Sequence, residues 1–391
     1  MNPLLFKIAV SDFRDRFGRL PTVVAYAPGR VEVLGNHTDY NEGFVLSAAI
    51  NYGTFFLCAP RSDHHCHVTA DNFKENATFD AAAPMPAKKY GWANYVKGVH
   101  AGLHAHSPAA HGFDALFIGD VPLGAGLSSS ASLEMSAGLA LVKLYGLDMS
   151  PLALARTGQM AEHHFAGVKC GLLDQISSLY GKANALVETD FRSLTVKTVP
   201  FGPDACLLLC NTHSKHALVD GEYNQRRAAC ETATAHFAKK LPHPVKALRD
   251  VSWTEWKKYK RGLSKIVANR AAHPIGESER VLEGARRLAA GDMEGFGKLM
   301  FESHKSSREY FENSCPELNR IVEAAAHVPG VMGARLTGGG FGGSVVVLVH
   351  PRDAETAGAA LSSAYTRHFK KPCDTCVVTP SAGAHLIKEF I

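Results

Sequence analysis

Three groups of residues have types and spacings that could do chemistry. The first is Pro122 to Glu134, where Gly124, Ala125, Gly126 and Leu127 lead into the hydroxyls of Ser128, Ser129 and Ser130. Glycine lets a backbone bend through positive φ and lets a bulky ligand come close. A helix opening just past such a bend presents unpaired N–H groups and the positive end of its dipole, which together favour an anion. The serines add donors and an oxygen for magnesium. This is the chemistry of a phosphate cradle, although the same composition also makes an ordinary loop and helix cap. No Gly-Lys-Ser/Thr follows, so it is not a Walker loop, and it lacks the spacing of a dinucleotide fingerprint.

The second group runs from Arg30 to Tyr40. It holds Arg30, Glu32, Asn36, His37 and Asp39, punctuated by Gly29 and Gly35. So many polar groups are costly to bury without partners. The stretch reads either as a loop that binds something polar or as a plain surface loop. The third group is Cys170 to Gln175, where Asp174 follows Gly171 at the start of a helical period. An acid there can be a favoured first-turn residue. It can also be a carboxylate aimed into a cleft and kept ionised as a base by a nearby arginine.

These groups need elements to hold them. A strand over Phe113 to Val121 and a helix over Ala131 to Leu144 flank the first group. Val23 to Tyr26 reads as the strand entering the second, with strands at 44–50 and 54–59 beyond it. A helix from Pro151 to Phe165 carries Glu162 near its end. Pro200-Phe-Gly-Pro203 is a seam between two halves, and Cys206 to Cys210 opens the second with a strand. Lys215, Tyr223, Arg226 and Arg227 gather near a helix start. Helices are expected at 278–290, 292–310 and 316–327. Between strands at 331–336 and 345–350 lies Thr337-Gly-Gly-Gly-Phe-Gly-Gly-Ser344, which requires the backbone to come very near an anionic ligand or another backbone.

Composition narrows the classes. The 391 residues are 46% apolar and 20% charged, which fits a soluble globular protein with room for two domains. The net charge of +5 is small and dispersed, and clusters such as Lys257 to Arg261 read as solvated helix faces. No nucleic-acid or membrane partner is expected, and no long apolar run or signal segment is found, so a cytoplasmic protein is expected. Nine scattered cysteines fit reduced thiols. Cys373 and Cys376 read as strand residues, and Asp63 to His67 as a polar turn between strands.

Taken in order, Gly29 to Tyr40, Pro122 to Glu134 and Leu336 to Ser344 resemble the sugar signature, phosphate loop and C-terminal glycine motif of the galactokinases, which are GHMP small-molecule kinases. Trp92 to Gly98, Cys170 to Gln175, Glu222 to Arg227 and Pro380 to His385 are similar to further stretches of that family. The resemblance implies an α+β, two-domain GHMP-kinase fold with the active site between the domains, residues 1–200 and 201–391. It implies transfer of the γ-phosphoryl of ATP, with Mg2+, to the anomeric hydroxyl of galactose by a monomer. Asp174 would be the base and Arg30 its partner. Arg30, Asn36, His37, Asp39, Gly171, Asp174 and Tyr223 would meet the sugar. Trp92, Gly124, Ala125, Gly126, Leu127, Ser128, Ser129, Ser130 and Lys215 would meet ATP, with Ser130 and Glu162 on the metal.

One departure bears on the sugar. The family usually has asparagine at position 32 and a glutamate at position 36, the latter bonded to the C6 hydroxyl, whereas this chain has Glu32 and Asn36. If that segment were helical the two would face the same side, four residues apart. The alternatives are a 1-kinase for another galactose-like sugar, such as N-acetylgalactosamine, and a non-catalytic sensor of sugar and ATP. The presence of Ser130-Ala131, Asp174 and Arg30 speaks against the sensor.

Overall fold

The computed structural model describes residues 1–105, 111–122, 124–215 and 219–387, with side chains left aside at 215, 219 and 220. Helix α1 (Pro3–Phe17) starts under Asn2, whose side chain accepts from the amides of Leu4 and Leu5, and stops at Gly18 in the left-handed region. Seven strands build most of a first sheet: β1 (Val23–Leu34), β2 (Phe44–Pro60), β3 (His65–Ala70), β4 (Glu75–Asp80), β5 (Phe113–Gly119), β6 (Ala185–Asp190) and β7 (Thr195–Pro200). A second, four-stranded sheet holds β8 (Cys206–Lys215), β9 (Val331–Thr337), β10 (Gly342–Val349) and β11 (Asp374–Val378) in the antiparallel order β11-β8-β10-β9. The short β12 (His385–Leu386) then returns to the first sheet beside β1, giving it the order β12-β1-β2-β5-β3-β4.

Side chains alternate along each strand, so each sheet offers two faces. Val24 and Tyr26 of β1 meet Ala9 and Phe13 of α1, while Val23 and Ala25 face the opposite core. That core is closed by α2 (Ala93–His104) and α3 (Ser129–Leu144), backed by α4 (Pro151–Ala161) and α5 (Leu173–Tyr180). In the second half, α6 (Val219–Lys240), α7 (Trp253–Tyr259) and α8 (Lys265–Ala289) form a cluster of their own through Phe237, Trp256 and Ile275, while α9 (Met293–Ser306), α10 (Pro316–Ala325) and α11 (Ala354–Phe369) pack on the second sheet. Leu318, Ile321, Leu361 and Tyr365 of α10 and α11 cover Leu208, Val345 and Val347. The alternate residues Leu207, Leu209, Val346 and Leu348 point the other way, into one core with Val31, Val33 and Leu46 of the first sheet and Val281, Phe296 and Met300 of α8 and α9. The two sheets therefore share apolar interior.

Several expectations are corrected. The strand that enters the second group does not end at Tyr26 but runs to Leu34, because Val31 and Val33 alternate into the shared core. Segment 31–36 is not helical, so Glu32 and Asn36 do not face one side by helical spacing. The two strands expected at 44–50 and 54–59 are one, β2, with β6 pairing its near end and β5 its far end. Gly53 marks no turn there; a Cβ on it would lie 2.5 Å from the Tyr26 hydroxyl, so glycine admits that ring. The helix expected from 278 starts at Lys265, with Ser264 as its cap and Pro274 inside it. The helices expected to end at 165 and 310 stop at Ala161 and Ser306 and finish in wider π-turns, Glu162–Ala166 and Ser307–Phe311. Among the described residues no helix is long and apolar enough to cross a membrane.

Candidate active site

The site gathers where β1, the loop before α3 and the start of α5 converge. Arg30 is positioned by β1 and is buried, and its Nε and Nη2 each lie 2.7 Å from Asp174 Oδ1. The remaining nitrogen, Nη1, donates to the carbonyl of Gly126 at 2.7 Å, and the backbone N–H of Arg30 donates to Leu127 O at 3.0 Å. Asp174 lies in the first turn of α5, which Ser178 ties to β1 by donating to Pro28 O at 2.6 Å. The other oxygen of Asp174 accepts from the Ser128 hydroxyl at 2.5 Å. Ser128 sits at the N-cap of α3 with φ +55°, and its hydroxyl serves Asp174 rather than the helix. Arg30, Asp174 and Ser128 are thus one hydrogen-bonded unit.

Two cavities open on either side of it. The first, about 420 Å³, is lined by Arg30, Glu32, Asn36, Asp39, Asp174 and Tyr223 among others. Asp39 reaches over Gly171, where an added Cβ would lie 1.8 Å from its Oδ2, so only glycine permits that approach. Burial, partly offset by a hydrogen bond from the Tyr40 amide, pushes the Asp39 carboxyl up to about 6. His37 is buried and has φ +59°; burial holds its imidazole down to about 4, which keeps it neutral. Its Nε2 is 3.1 Å from Gly339 O and so carries the proton, leaving Nδ1 to accept from the Tyr40 hydroxyl at 2.9 Å. Both nitrogens are therefore bonded within the protein, and the ring serves as wall against Phe311 and Tyr223. Asn36 is similarly engaged: its Nδ2 donates to Gly338 O at 2.7 Å and its Oδ1 accepts from Asn313 at 2.8 Å. The Tyr223 hydroxyl has no hydrogen-bond partner among the described residues and belongs to the cavity wall.

The second cavity, about 510 Å³, is lined by Trp92, Phe73, Tyr95, Phe117, Val121, Leu133, Ser129 and Ser130 among others. Trp92 donates from its indole to Glu75 Oε2 at 2.6 Å and packs edge-on against Phe117. Between the cavities, Gly124 and Gly126 have φ of +71° and +73°. Ala125 and Leu127 turn their side chains into the shared core, so these two offer the loop's interior only backbone. The side chain of Lys215, at the end of β8, and all of Leu123 lie outside the described residues. The glycine motif after β9 comes very near another backbone at Gly340, where an added Cβ would lie 2.2 Å from Asn313 O, while a Cβ on Gly338 would be in ordinary contact, 3.6 Å from Gly126 O. Thr337 Oγ1 bonds both the N–H and the C=O of Glu32 at 3.0 Å, and Ser344 donates to Ala125 O at 2.7 Å.

Ser130 hydrogen-bonds Glu162, which stands beside Glu134. Burial pushes both carboxyls up, Glu162 to about 7 and Glu134 well above the usual range, and their mutual proximity adds to the rise in Glu134. Glu134 Oε2 accepts from Gln175 at 2.9 Å, while its Oε1 is buried without a partner. Among the described residues no group of three or more His, Cys, Asp or Glu side chains is set for a metal. Ser130 and Glu162 still offer hard oxygen donors of the kind suited to a magnesium that keeps waters and phosphate oxygens as its other ligands. Sequence reasoning gave no role to Glu134, Gln175, Asn313 or Arg335. For Glu134 the signal was present, since it lies one helical turn after Ser130.

This fold and this arrangement of loop, cavities and acid define a GHMP kinase. The family models agree, with the GHMP kinases N terminal domain matching residues 94–182 and the GHMP kinases C terminal matching 282–367. The galactokinase galactose-binding signature matches residues 11–60. A curated relative, the galactokinase of Actinobacillus succinogenes, is 41% identical over 95% of this chain and 97% of its own. The solved galactokinase of Lactococcus lactis, complexed with galactose, is 31% identical with a TM-score of 0.92 over 97% of this chain and 99% of that one. The mevalonate kinase of Methanococcus jannaschii, 18% identical with a TM-score of 0.64 over 91% of this chain and 98% of that one, shares the fold. The chain belongs to the galactokinase family.

Proposed function

We propose that the protein transfers the γ-phosphoryl group of ATP to the C1 hydroxyl of galactose. The observation that carries this reading is the Arg30–Asp174–Ser128 unit at the junction of a polar cavity and an aromatic one. The polar cavity suits a sugar and the aromatic one a nucleotide base, with the loop of Gly124 to Ser130 between them for the phosphates. The resemblance of the chain to galactokinases over nearly its whole length supports the choice of sugar. Residues 1–200 and 201–391 would hold the two substrates between them.

In the proposed step Asp174 accepts the proton of the C1 hydroxyl as its oxygen bonds to the γ-phosphorus. The bond from that phosphorus to the bridging oxygen breaks, and ADP leaves with the electron pair. Phosphoryl transfer relies on positioning and charge stabilisation more than on covalent help from the protein. Arg30 orients Asp174 and brings a positive charge beside the transferring group. Backbone N–H groups of Gly124 to Ser130 and the Ser129 hydroxyl would hold phosphate oxygens, with Ser128 keeping its hydroxyl on Asp174 and Trp92 against the base. Ser130 and Glu162 would hold Mg2+, which neutralises phosphate charge when bound. On the sugar, Asp39 and Tyr223 would contact hydroxyls, Gly171 would give Asp39 its room, and His37 and Asn36 would shape the wall.

An ATP-coupled assay over galactose, N-acetylgalactosamine, talose, fucose, glucose and arabinose tests the reading, with Asp174→Asn as control. Turnover of galactose that the control abolishes is the expected result. Binding of ATP without turnover of any sugar would overturn it.

A further inference from the structure

The polar cavity contains an acid whose geometry points to more than structural duty. Arg30, Val31 and Glu32 pair in unbroken register with Ala49, Ala48 and Ser47, so the side chains of Arg30 and Glu32 leave β1 on the same face. Two strand residues span about 6.7 Å, roughly the width of a six-membered sugar ring. A sugar presenting one hydroxyl to Asp174 beside Arg30 therefore turns its far side toward Glu32, which lines the same cavity.

The carboxylate of Glu32 is divided between two surroundings. Its Oε1 accepts from Arg335 Nη1 at 2.9 Å. Its Oε2 takes no hydrogen bond from the described residues, yet it is not among the fully enclosed atoms that lack a partner, so it is reachable from the cavity. Arg335 is wholly buried, and among the described residues its Nε and Nη2 have no partner and Glu32 is the one acid paired with it. Moving that carboxylate aside would leave a buried cation unpaired, a costly state that holds Glu32 in place. The backbone of Glu32 is held as well, both its N–H and its C=O bonded to Thr337. Asn36 is the opposite case. One of its amide N–H groups donates to Gly338 O and its carbonyl accepts from Asn313, so it keeps no acceptor for a sugar hydroxyl beyond what Asn313 already uses, and it is 1% exposed.

We propose that Glu32, and not Asn36, selects the sugar, its free oxygen accepting a hydrogen bond from a hydroxyl on the side of the ring away from the phosphorylated carbon. This rests on the sugar-kinase reading above. An ionised carboxylate only accepts, so it recognises an O–H and is left unpaired by a sugar that lacks it. Asn36 acts instead as a clasp between the glycine motif and the wall of the site.

The test compares kcat/KM for galactose and its 3-, 4- and 6-deoxy forms. The wild type is expected to reject one of the three by about 100-fold or more relative to galactose. Glu32→Gln should lower kcat/KM for galactose by roughly 10- to 100-fold and remove most of that one ratio, leaving the other two nearly unmoved. Should Glu32→Gln fail to fold, Glu32→Asp, which keeps the charge opposite Arg335 and withdraws the oxygen, must show the same selective change. Asn36→Ala should lower all four values by a common factor. Ratios that ignore both Glu32 variants, or a ratio that moves in Asn36→Ala, overturn the inference. A wild-type protein that phosphorylates no galactose overturns the underlying reading instead, and that outcome is visible before any variant is made.

Discussion

The cavities proposed for the sugar and for the nucleotide have no lining residue in common and differ in how they would recognise. The sugar-side cavity is built from ionisable and amide groups held in place by one another: Arg30 with Asp174, Glu32 with Arg335, Asn36 with Asn313. The nucleotide-side cavity is built mostly from rings and aliphatic chains, with Trp92, Phe73, Tyr95, Phe117 and Leu133 around a few polar groups. A hydrogen-bonded wall discriminates sharply, because a missing partner strands a desolvated group. An apolar wall discriminates by volume and gives way gradually. The same molecule therefore carries a strict site and a permissive one, joined through Ser128.

If the contrast is real, damage on the polar side should be steep and local. Asp174→Asn should lower kcat by about 10²- to 10⁴-fold, the usual contribution of a positioned base, while equilibrium binding of ATP stays close to wild type. Calorimetric loss of ATP binding in that variant would break the division between the two sides. Asp39 gives a second probe through stability. Its folded carboxyl sits near 6, above the ordinary 3.8, so the folded state holds a proton that the unfolded state has already released. Stability from this group falls as pH rises from about 4 to 6 and stays lost above that. Asp39→Asn should therefore raise the stability of the ligand-free protein at pH 7.5 by up to about 2–3 kcal/mol, with little gain at pH 4. Thermal unfolding at the two pH values reads it, and sugar turnover should fall in the same variant.

Smaller effects sharpen the comparison. Gly171→Ala drives a methyl against Asp39 and should raise the KM for sugar by roughly tenfold or more, leaving the KM for ATP within about threefold. An equal rise in both would show that the two walls move together. On the apolar side, Trp92→Ala should raise the KM for ATP about five- to tenfold, as expected for one lost aromatic contact, with sugar discrimination unchanged. A changed preference among deoxygalactoses in that variant would show that the aromatic wall also sets the sugar.

The parts of the fold and site legible in the sequence were those whose partners lie close along the chain. Gly124 to Leu144 could be read as a bend, serines and a helix because all of that is local. Arg30 and Asp174 were paired through the family resemblance, since 144 residues separate them. The unread parts depend on distant partners. Glu32 looked like part of a polar loop because Arg335, which neutralises it inside a strand, lies 303 residues away. His37, expected to touch the sugar, does line the cavity, but both its nitrogens bond Gly339 and Tyr40, and no local pattern could show the first of these. The glycines of 338–343 announced a close approach without saying to what, and the answer is chiefly Asn313, whose carbonyl lies against Gly340. Both Glu32 and Asn36 line the cavity, and only the folded contacts show that Asn36 is bonded at both ends of its amide while Glu32 keeps one oxygen free of the described residues.

The stitches from Thr337 to Glu32 and from Ser344 to Ala125 span 305 and 219 residues. Contacts of such separation close late in folding, after the loops between them have been ordered. During synthesis the sugar strand and the phosphate loop leave the ribosome early and wait, without their supports, for nearly the whole chain to follow. A chain stopped before residue 337 would carry β1 and the loop at Gly124 without the two hydroxyls that tie them down.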